Sequence, residues 1–478
     1  MSNSAQTSAM DRISALLDEN SFVEIGASVT KRNTDFNLQE KELPGDGVVT
    51  GYGVIDGSLV YVYSQDAKTL GGSIGEMHAK KIAAVYDMAM KMGAPVIGLV
   101  DCSGLRLEEA TDALAGFGSI YQKQALASGV IPQITAVFGT CGGGSAVSAA
   151  LTDFTFMEQE NGKLFVNSPN AIAGNYEGKC DTAAAKFQAE AGNADFVETE
   201  ETIYERIREL VGILPANNEE AAFGEGCEDD LNRLTENFEA EVKDPAVALA
   251  DLSDDQCFFL EVKKDYAKEM VTGFICLNGM TVGAIANRGE LFDEEGKTVE
   301  KFDGSLTVAG CKKATEMVNF CDAFGIPVLT LTAVDGYSAC KCGEKHIAKA
   351  SAKLTYAFAN ATVPKVNVIV GKAFGSAYVT MNSKHIGADM VYALPNAQIG
   401  MMEADLAAKI MYDGASSEEQ EKKAAEYAAL QSSPEAAAKR GYVDSIIEPA
   451  SVRKHLLYTY EMLYSKRECK PSKKHGTI

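Results

Sequence analysis

Two stretches decide the fold: "IPQITAVFGTCGGGSA" (131–146) and "VPKVNVIVGKAFGSAY" (363–378). Each opens with a β-branched apolar run after a proline, the pattern of a buried strand. Each closes in small residues where a helix would begin. They lie 232 residues apart, and the offset is shared by other segments. It pairs "GAPVIGL" (93–99) with "GIPVLTL" (325–331), "AKK" (79–81) with "CKK" (311–313), and "GGSIG" (71–75) with "DGSLT" (303–307). Upstream, "GYGVIDGSLVYVYSQ" (51–65) matches "GFICLNGMTVGAIAN" (273–287) at an offset of 222; ten residues are added in the acidic stretch "RGELFDEEGKTVEKF". Blocks held in register over so long a span indicate duplication. Two homologous domains are expected, with cores over roughly 40–215 and 255–460 and a boundary near 230, giving 1–230 and 231–478. The polar, acidic "ANNEEAAFGEGCEDD" (216–230) links them.

Within each unit the order of elements is legible. "VVTGYGVIDGSLVYVYS" carries two β-rich runs around Asp56-Gly57, a favoured tight-turn pair, and Asn278-Gly279 takes the same place in the second unit. "GEMHAKKIAAVYDMAMKM" has apolar residues at helical spacing, "APVIGLVD" reads as a buried strand, and "LEEATDALAGFGSIYQKQALAS" as a second helix. Alternation of this kind predicts an α/β fold with a parallel sheet in each unit.

Composition narrows the function. A length of 478 residues suits two or three domains, and a formal net charge of −23 argues against a nucleic-acid-binding surface. The basic tail "SKRECKPSKKHGTI" reads as a solvated segment. The 11 cysteines are scattered and odd in number, without a disulfide-like framework, which suggests a reducing cytosol. Cys340 and Cys342, in "ACKCG", have only His346 nearby and no CxxC partner, so they read as ordinary thiols and no metal site is expected. Neither a secretory signal nor an apolar run of about 18 residues is present, so a cytoplasmic protein is expected.

The glycine cluster has several possible uses. Small residues between strand and helix leave backbone N–H groups at a helix start with little side-chain cover. Such groups bind a phosphate, or an oxygen that becomes negative during reaction. No Lys-Ser/Thr pair follows, which excludes a P-loop, and GxSxG does not occur in the cluster, which leaves a nucleophile elbow unsupported. The five histidines (78, 346, 385, 455, 475) show no triad spacing. A single cluster is most simply a packing device. Its repetition 232 residues later suits a reaction with two carbonyls.

At this point the chain resembles the carboxyltransferase subunit of biotin-dependent acyl-CoA carboxylases, the propionyl-CoA carboxylase β-type family. The resemblance covers most of residues 10–458. It rests on long blocks such as "VYSQDAKTLGGSIGEMHAKKI" (62–82), "GAPVIGLVDCSGLRLEEA" (93–110), "GGGSAVSAALTDFTFM" (142–157) and "ATVPKVNVIVGKAFGSAYVTMNSKHIGADMVYALPNAQIGMM" (361–402). It implies two crotonase-like (ββα spiral) domains in tandem, each contributing an oxyanion hole. Acyl-CoA would meet the N-terminal domain and carrier-borne biotin the C-terminal one. The site would form between the N-domain of one subunit and the C-domain of its dimer partner, in a homohexamer built as a trimer of dimers.

Carried over by motif, Gly143 and Gly144 would hold the thioester oxygen, and Ser376 and Ala377 the biotin ureido oxygen. Gly375 and Phe374 would sit beside them on the biotin side, and Gly142, Gly104, Leu105 and Val379 on the acyl-CoA side. The chain departs from the family at Ser376, where a second glycine is usual, at "CSGLR" (102–106), at "AVDGY" (333–337) and over 176–200. Val379 takes a position where propionyl-CoA enzymes typically carry Asp, which points away from strict propionyl specificity. No biotinyl-lysine motif occurs, so a separate biotin carboxyl carrier protein is implied, together with a biotin carboxylase subunit. The close alternative replaces the carboxylase with the membrane subunit of a sodium-pumping decarboxylase, which would place the chain peripherally at the inner membrane. Alternatives of other classes are a biotin-independent crotonase-type hydrolase or hydratase, and a noncatalytic scaffold. Plainer readings apply elsewhere: Glu108 and Glu109 as helix-start or hydrogen-bonding residues, Lys80, Lys81, Lys312 and Lys313 as exposed helix lysines, Met401 and Met402 as core, and Asp153 and Asp389 as structural.

Overall fold

A computed structural model describes residues 7–32, 43–174, 181–222, 226–255, 257–473 and 475–477. The chain divides into two units, Met1–Ala221 and Ala222–Ile478. Of the linker, residues 223–225 lie outside the described residues, as do 176–180 of the divergent 176–200 stretch.

The first unit opens with helix α1 (Ala9–Leu16) and strands β1 (Val23–Glu24), β2 (Val48–Ile55) and β3 (Ser58–Gln65). Helix α2 (Glu76–Met92), strand β4 (Val96–Cys102), helix α3 (Ala110–Ala127), strand β5 (Gln133–Gly142) and helix α4 (Gly144–Ala150) follow. Strands β6 (Phe154–Glu158), β7 (Lys163–Phe165) and β8 (Phe196–Glu198) and helix α5 (Glu200–Ile213) complete it. The sheet order is β1-β2-β3-β4-β5-β6-β8, with β7 paired to β5. The β1–β2–β3 pairs are antiparallel and the others parallel. Every residue of β4 is buried, as expected of a parallel strand with both faces covered. Val96, Val137, Ile82, Tyr86 and Phe117 meet in the core between this sheet and helices α2 and α3.

The second unit repeats the plan. It runs through α6 (Pro245–Leu252), β9 (Leu260–Glu261), β10 (Met270–Leu277), β11 (Met280–Asn287), β12 (Glu290–Phe292), β13 (Thr298–Lys301) and β14 (Ser305–Leu306). It continues with α7 (Val308–Ala323), β15 (Val328–Val334), β16 (Gly336–Tyr337), α8 (Ile347–Asn360), β17 (Lys365–Phe374) and α9 (Gly375–Thr380). It closes with β18 (Met390–Ala393), β19 (Gln398–Gly400), α10 (Ala404–Met411), α11 (Ser417–Tyr427), β20 (Ser445–Ile446) and α12 (Val452–Leu463). Its sheet reads β9-β10-β11-β15-β17-β18-β20 with β19 on β17, the same order as in the first unit. The ten added residues are accounted for by the β12–β13 hairpin, which pairs outside the main sheet.

The duplication reaches down to single hydrogen bonds. The turn pairs Asp56-Gly57 and Asn278-Gly279 all have positive φ, between 49° and 83°, as a type I′ turn requires. In each case one upstream carboxylate accepts both turn N–H groups, Asp18 in the first unit and Asp254 in the second. Asp153 accepts the Gln133 N–H at the start of β5, and Asp389 accepts the Lys365 N–H at the start of β17.

Several expectations are corrected. Lys81 and Lys313 are not exposed helix lysines: they are 5% and 2% exposed. The Lys81 Nζ donates to the carbonyls of Gly45 and Val48, and the Lys313 Nζ to those of Lys263 and Tyr266, so each ties a loop to its helix. Met401 is not core but 71% exposed. The C-terminal tail is not free in solvent throughout, because Lys473 lies over the Tyr356 ring at 4.6 Å. Cys257 and Cys276 are joined in a disulfide, where the sequence reading had only free thiols. No helix among the described residues is long and apolar enough to cross a membrane.

Candidate active site

The candidate site residues lie at the two turns that join a long central strand to a short helix. In the first unit β5 ends at Gly142, and Gly143 turns the chain with φ 61° and ψ −122° before α4 starts at Gly144. In the second, Phe374 ends β17 and Gly375 turns the chain with φ 64°. The turn residues are the matched pair of the repeat, so the same left-handed step is built twice. A Cβ at Gly143 would meet nothing within 4 Å. The demand at 143 is therefore conformational, and the space above the turn is open.

The N–H groups of the first turn differ in their partners. Gly143 donates its N–H to the Phe165 carbonyl at 2.8 Å, which extends the β5–β7 pairing by one bond. Among the described residues no acceptor meets the N–H of Gly144 or Ser145, and Ala146 donates back to the Gly143 carbonyl. Gly143 thus shapes the turn, while Gly144 and Ser145 present donors. Tyr121 fixes the helix start by donating its hydroxyl to the Gly144 carbonyl at 2.7 Å. In the second turn no acceptor among the described residues meets the N–H of Ser376 or Ala377. These two match Gly144 and Ser145 by the shared offset. Ser376 is exposed, Ala377 buried, and Val379 half-buried on the same short helix. A cavity of about 530 Å³ borders the turn at Phe374 and is lined further by Gln398, Glu403 and Ser432.

A second loop closes on each turn. Gly104 has φ 115° and packs against the Gly142 carbonyl: a Cβ there would lie 3.2 Å from that oxygen. Leu105 bridges to Ile74 and leaves its side chain 38% exposed. In the second unit Tyr337 pairs with Leu306 as Leu105 does with Ile74, but a Cβ at Gly336, with φ 149°, would meet nothing within 4 Å. The Tyr337 hydroxyl bonds Thr380 Oγ1 on α9 at 3.1 Å. The structure therefore brings Gly104, Gly142, Gly143 and Gly144 together, and Phe374 through Val379 lie consecutively at the second turn.

A supporting network escaped the sequence reading. Arg106, 1% exposed, donates to Asp46 at 2.6 Å, to Glu109 at 2.7 Å and to the Ser73 carbonyl at 2.8 Å. Glu109 in turn accepts the Glu76 N–H at the start of α2, which gives it the helix-start role expected of it. Asp46 accepts the His78 N–H, and His78 Nε2 meets Gln65. Burial pushes the Asp46 carboxyl up in spite of Arg106, and burial holds the His78 imidazole down at about 3, so it is neutral. The network pins the loop that carries Gly104 and Leu105. The only sequence signal for it was an arginine in an otherwise apolar, glycine-bearing segment.

The arrangement can stabilise negative charge on an oxygen at each turn through backbone donors, without a side-chain nucleophile. Comparison with known proteins gives the family. The family described as "Carboxyl transferase domain" matches residues 3–478. The chain is 39% identical to the methylmalonyl-CoA decarboxylase subunit alpha of Propionigenium modestum, over 99% of this chain and 93% of that protein. It is 40% identical to the propionyl-CoA carboxylase beta chain of Roseobacter denitrificans, over 98% and 93%. Among solved structures, the hexameric transcarboxylase 12S with hydrolysed methylmalonyl-CoA bound superposes with a TM-score of 0.91 at 35% identity, covering 98% of this chain and 92% of that one. With the match running end to end, the chain belongs to the carboxyl transferase domain family, as a carboxyltransferase enzyme built of two crotonase-like units.

Proposed function

We propose that the enzyme moves a carboxyl group between biotin on a separate carrier protein and the α-carbon of a short-chain acyl-CoA, of the acetyl/malonyl or propionyl/methylmalonyl type. The observation that carries this reading is the duplicated glycine turn, Gly143 at φ 61° and Gly375 at φ 64°, each followed by N–H groups with no protein acceptor among the described residues. Gly144 and Ser145 hold the thioester oxygen as it gains charge when the α-carbon loses its carboxyl or, in the opposite direction, gives up the proton that the carboxyl replaces. Ser376 and Ala377 hold the ureido oxygen, and Phe374 and Gly375 shape that pocket. Biotin, when bound, supplies the ring nitrogen that takes up or gives the carboxyl. The cavity that borders the second turn at Phe374 suits such a flat, polar group. Gly142, Gly104 and Leu105 set the acyl-CoA side, and Val379 bears on the choice of acyl group.

Relatives named as a carboxylase chain and as a decarboxylase subunit stand at 40% and 39% identity, so identity favours neither direction, and the partner subunit is proposed to set it. A biotin carboxyl carrier protein completes the system, with a biotin carboxylase in one direction or a membrane decarboxylase subunit in the other. The testing experiment offers malonyl-CoA, methylmalonyl-CoA and glutaconyl-CoA to the purified chain, with and without free biotin. Loss of the carboxyl only when biotin is present, and fastest for the shorter acids, is expected. Release of free CoA in water without biotin, with the carboxyl retained, would instead identify a crotonase-type hydrolase. Val379→Asp should raise the ratio of methylmalonyl- to malonyl-CoA turnover, and an unchanged ratio would remove Val379 from substrate choice.

A further inference from the structure

Cys340 and Cys342 lie in the exposed segment after β16. Their Sγ atoms are 3.2 Å apart, and the Gly343 N–H donates to the Cys340 sulfur at 3.1 Å. Both are exposed, whereas Cys102, Cys141, Cys311 and Cys321 are buried. From Ala339 to His346 no side chain is buried, and the backbone of the pair is held only by one short helical turn, Lys341–Glu344, which Cys340 caps. A disulfide needs the two sulfurs at about 2.05 Å, roughly 1 Å closer than they stand. The matching positions of the first unit are Glu108 and Ala110, so the pair is particular to the second unit and not part of the shared scaffold.

We propose that Cys340 and Cys342 form a thiol-exchange site, a paired dithiol that reacts with low-molecular-weight disulfides and closes to a reversible intrachain disulfide. The Cys342 sulfhydryl first, and the Gly343 N–H second, hold the Cys340 thiol below its usual range, which favours Cys340 as the attacking group. Cys340 thiolate attacks one sulfur of the incoming disulfide. That S–S bond breaks, and the first small thiol leaves with the proton Cys340 gave up. Cys342, losing its proton, then attacks the Cys340 sulfur and expels the second small thiol, which takes up that proton. The small disulfide is reduced to two thiols and the protein dithiol is oxidised, so electrons and protons balance. The closed ring would begin three residues beyond Tyr337, whose hydroxyl bonds Thr380 on α9, the helix of the second glycine turn.

The test exposes the full chain to oxidised glutathione and follows each cysteine by peptide mass spectrometry. The peptide with Cys340 and Cys342 should lose two hydrogen atoms at least about tenfold faster than the exposed Cys469 gains glutathione. Cys342→Ser should retain a glutathione on Cys340, while Cys340→Ser should modify Cys342 more slowly. Excess dithiothreitol should restore the original mass. Modification of Cys469 as fast as the pair, or a Cys342→Ser protein that takes up no glutathione at Cys340, would overturn the proposal. Serine at these exposed positions leaves the fold in place, and an unchanged melting temperature checks that.

Discussion

At Gly143 the side chain is excluded by φ, not by space, because a Cβ would meet nothing within 4 Å. An L-residue held in that conformation costs about 1–3 kcal/mol. Gly143→Ala should therefore lower the melting temperature and shift the Gly144 and Ser145 donors. Loss of carboxyl transfer with a lowered melting temperature is expected, and an unchanged temperature would refute the strain. Gly143→Pro is a poor probe, since it also removes the bond to Phe165. Ser376 is the better place to delete a donor. It is the second residue of α9, in the first turn, where proline is tolerated because no intrahelical partner is lost. Ser376→Gly keeps the N–H and should stay within a few fold of the parent rate. Ser376→Pro should lower the carboxyl-transfer rate by about 10²–10³, the usual effect of one oxyanion donor. Equal rates for the two variants would show that this N–H does not touch the reacting oxygen.

At the scale of elements, the junction of β5 and β6 carries a titratable strut. Asp153 accepts the Gln133 N–H at 2.8 Å, and Asp153 N–H returns a bond to the Gln133 carbonyl. Burial pushes its carboxyl up to about 7, with the nearby Asp195 charge adding to the effect. A carboxyl raised on folding binds its proton more tightly in the folded state. The stabilisation from that proton is complete below about pH 4 and is lost as pH rises through about 7. Asp153→Asn keeps the acceptor oxygen and removes the titration. The melting temperature of the parent, relative to Asp153→Asn, should fall between pH 5 and pH 8, and a constant difference would show that Asp153 is ionised throughout. Asp153 also shows what a sequence can reveal. Its structural role, the strands on either side and the repeat were all legible, because hydrophobic runs, turn pairs and offsets are local patterns. The partners of Arg106 were not, since Asp46 lies 60 residues away and only the folded loop joins them. Removing Arg106 would strand two buried carboxylates, so Arg106→Met should destabilise the first unit by about 3–5 kcal/mol. Met401 and Lys81 were misread for the matching reason: residue type suggests burial, but only packing decides it.

For the whole molecule, the surface left apolar argues for assembly. On α10, Leu406, Ile410 and Met411 are 50%, 62% and 62% exposed, while Ala407 and Ala408 face inward. Leu406 and Ile410 are four residues apart and so share a face. Met401, 71% exposed, and Leu430, 58% exposed, belong to the same part of the second unit. The first unit has its own exposed large residues beside the glycine turn, Leu105 at 38% and Leu107 at 84%. Side chains of this size, so grouped, mark interaction surfaces. The net charge of −23 keeps such a chain from nonspecific clumping, so a defined complex rather than an aggregate is the expected form. A second copy of the same chain is the proposed cover, since transcarboxylase 12S, so similar in fold, is a hexamer. Light scattering should give the mass of six chains for the parent. Leu406→Glu with Ile410→Glu places two charges where apolar contact is proposed, on side chains that make little contact within the chain. These variants should keep the far-ultraviolet circular dichroism of the parent but scatter as a smaller species. A parent that is monomeric, or a hexamer indifferent to both charges, would remove α10 from the assembly surface.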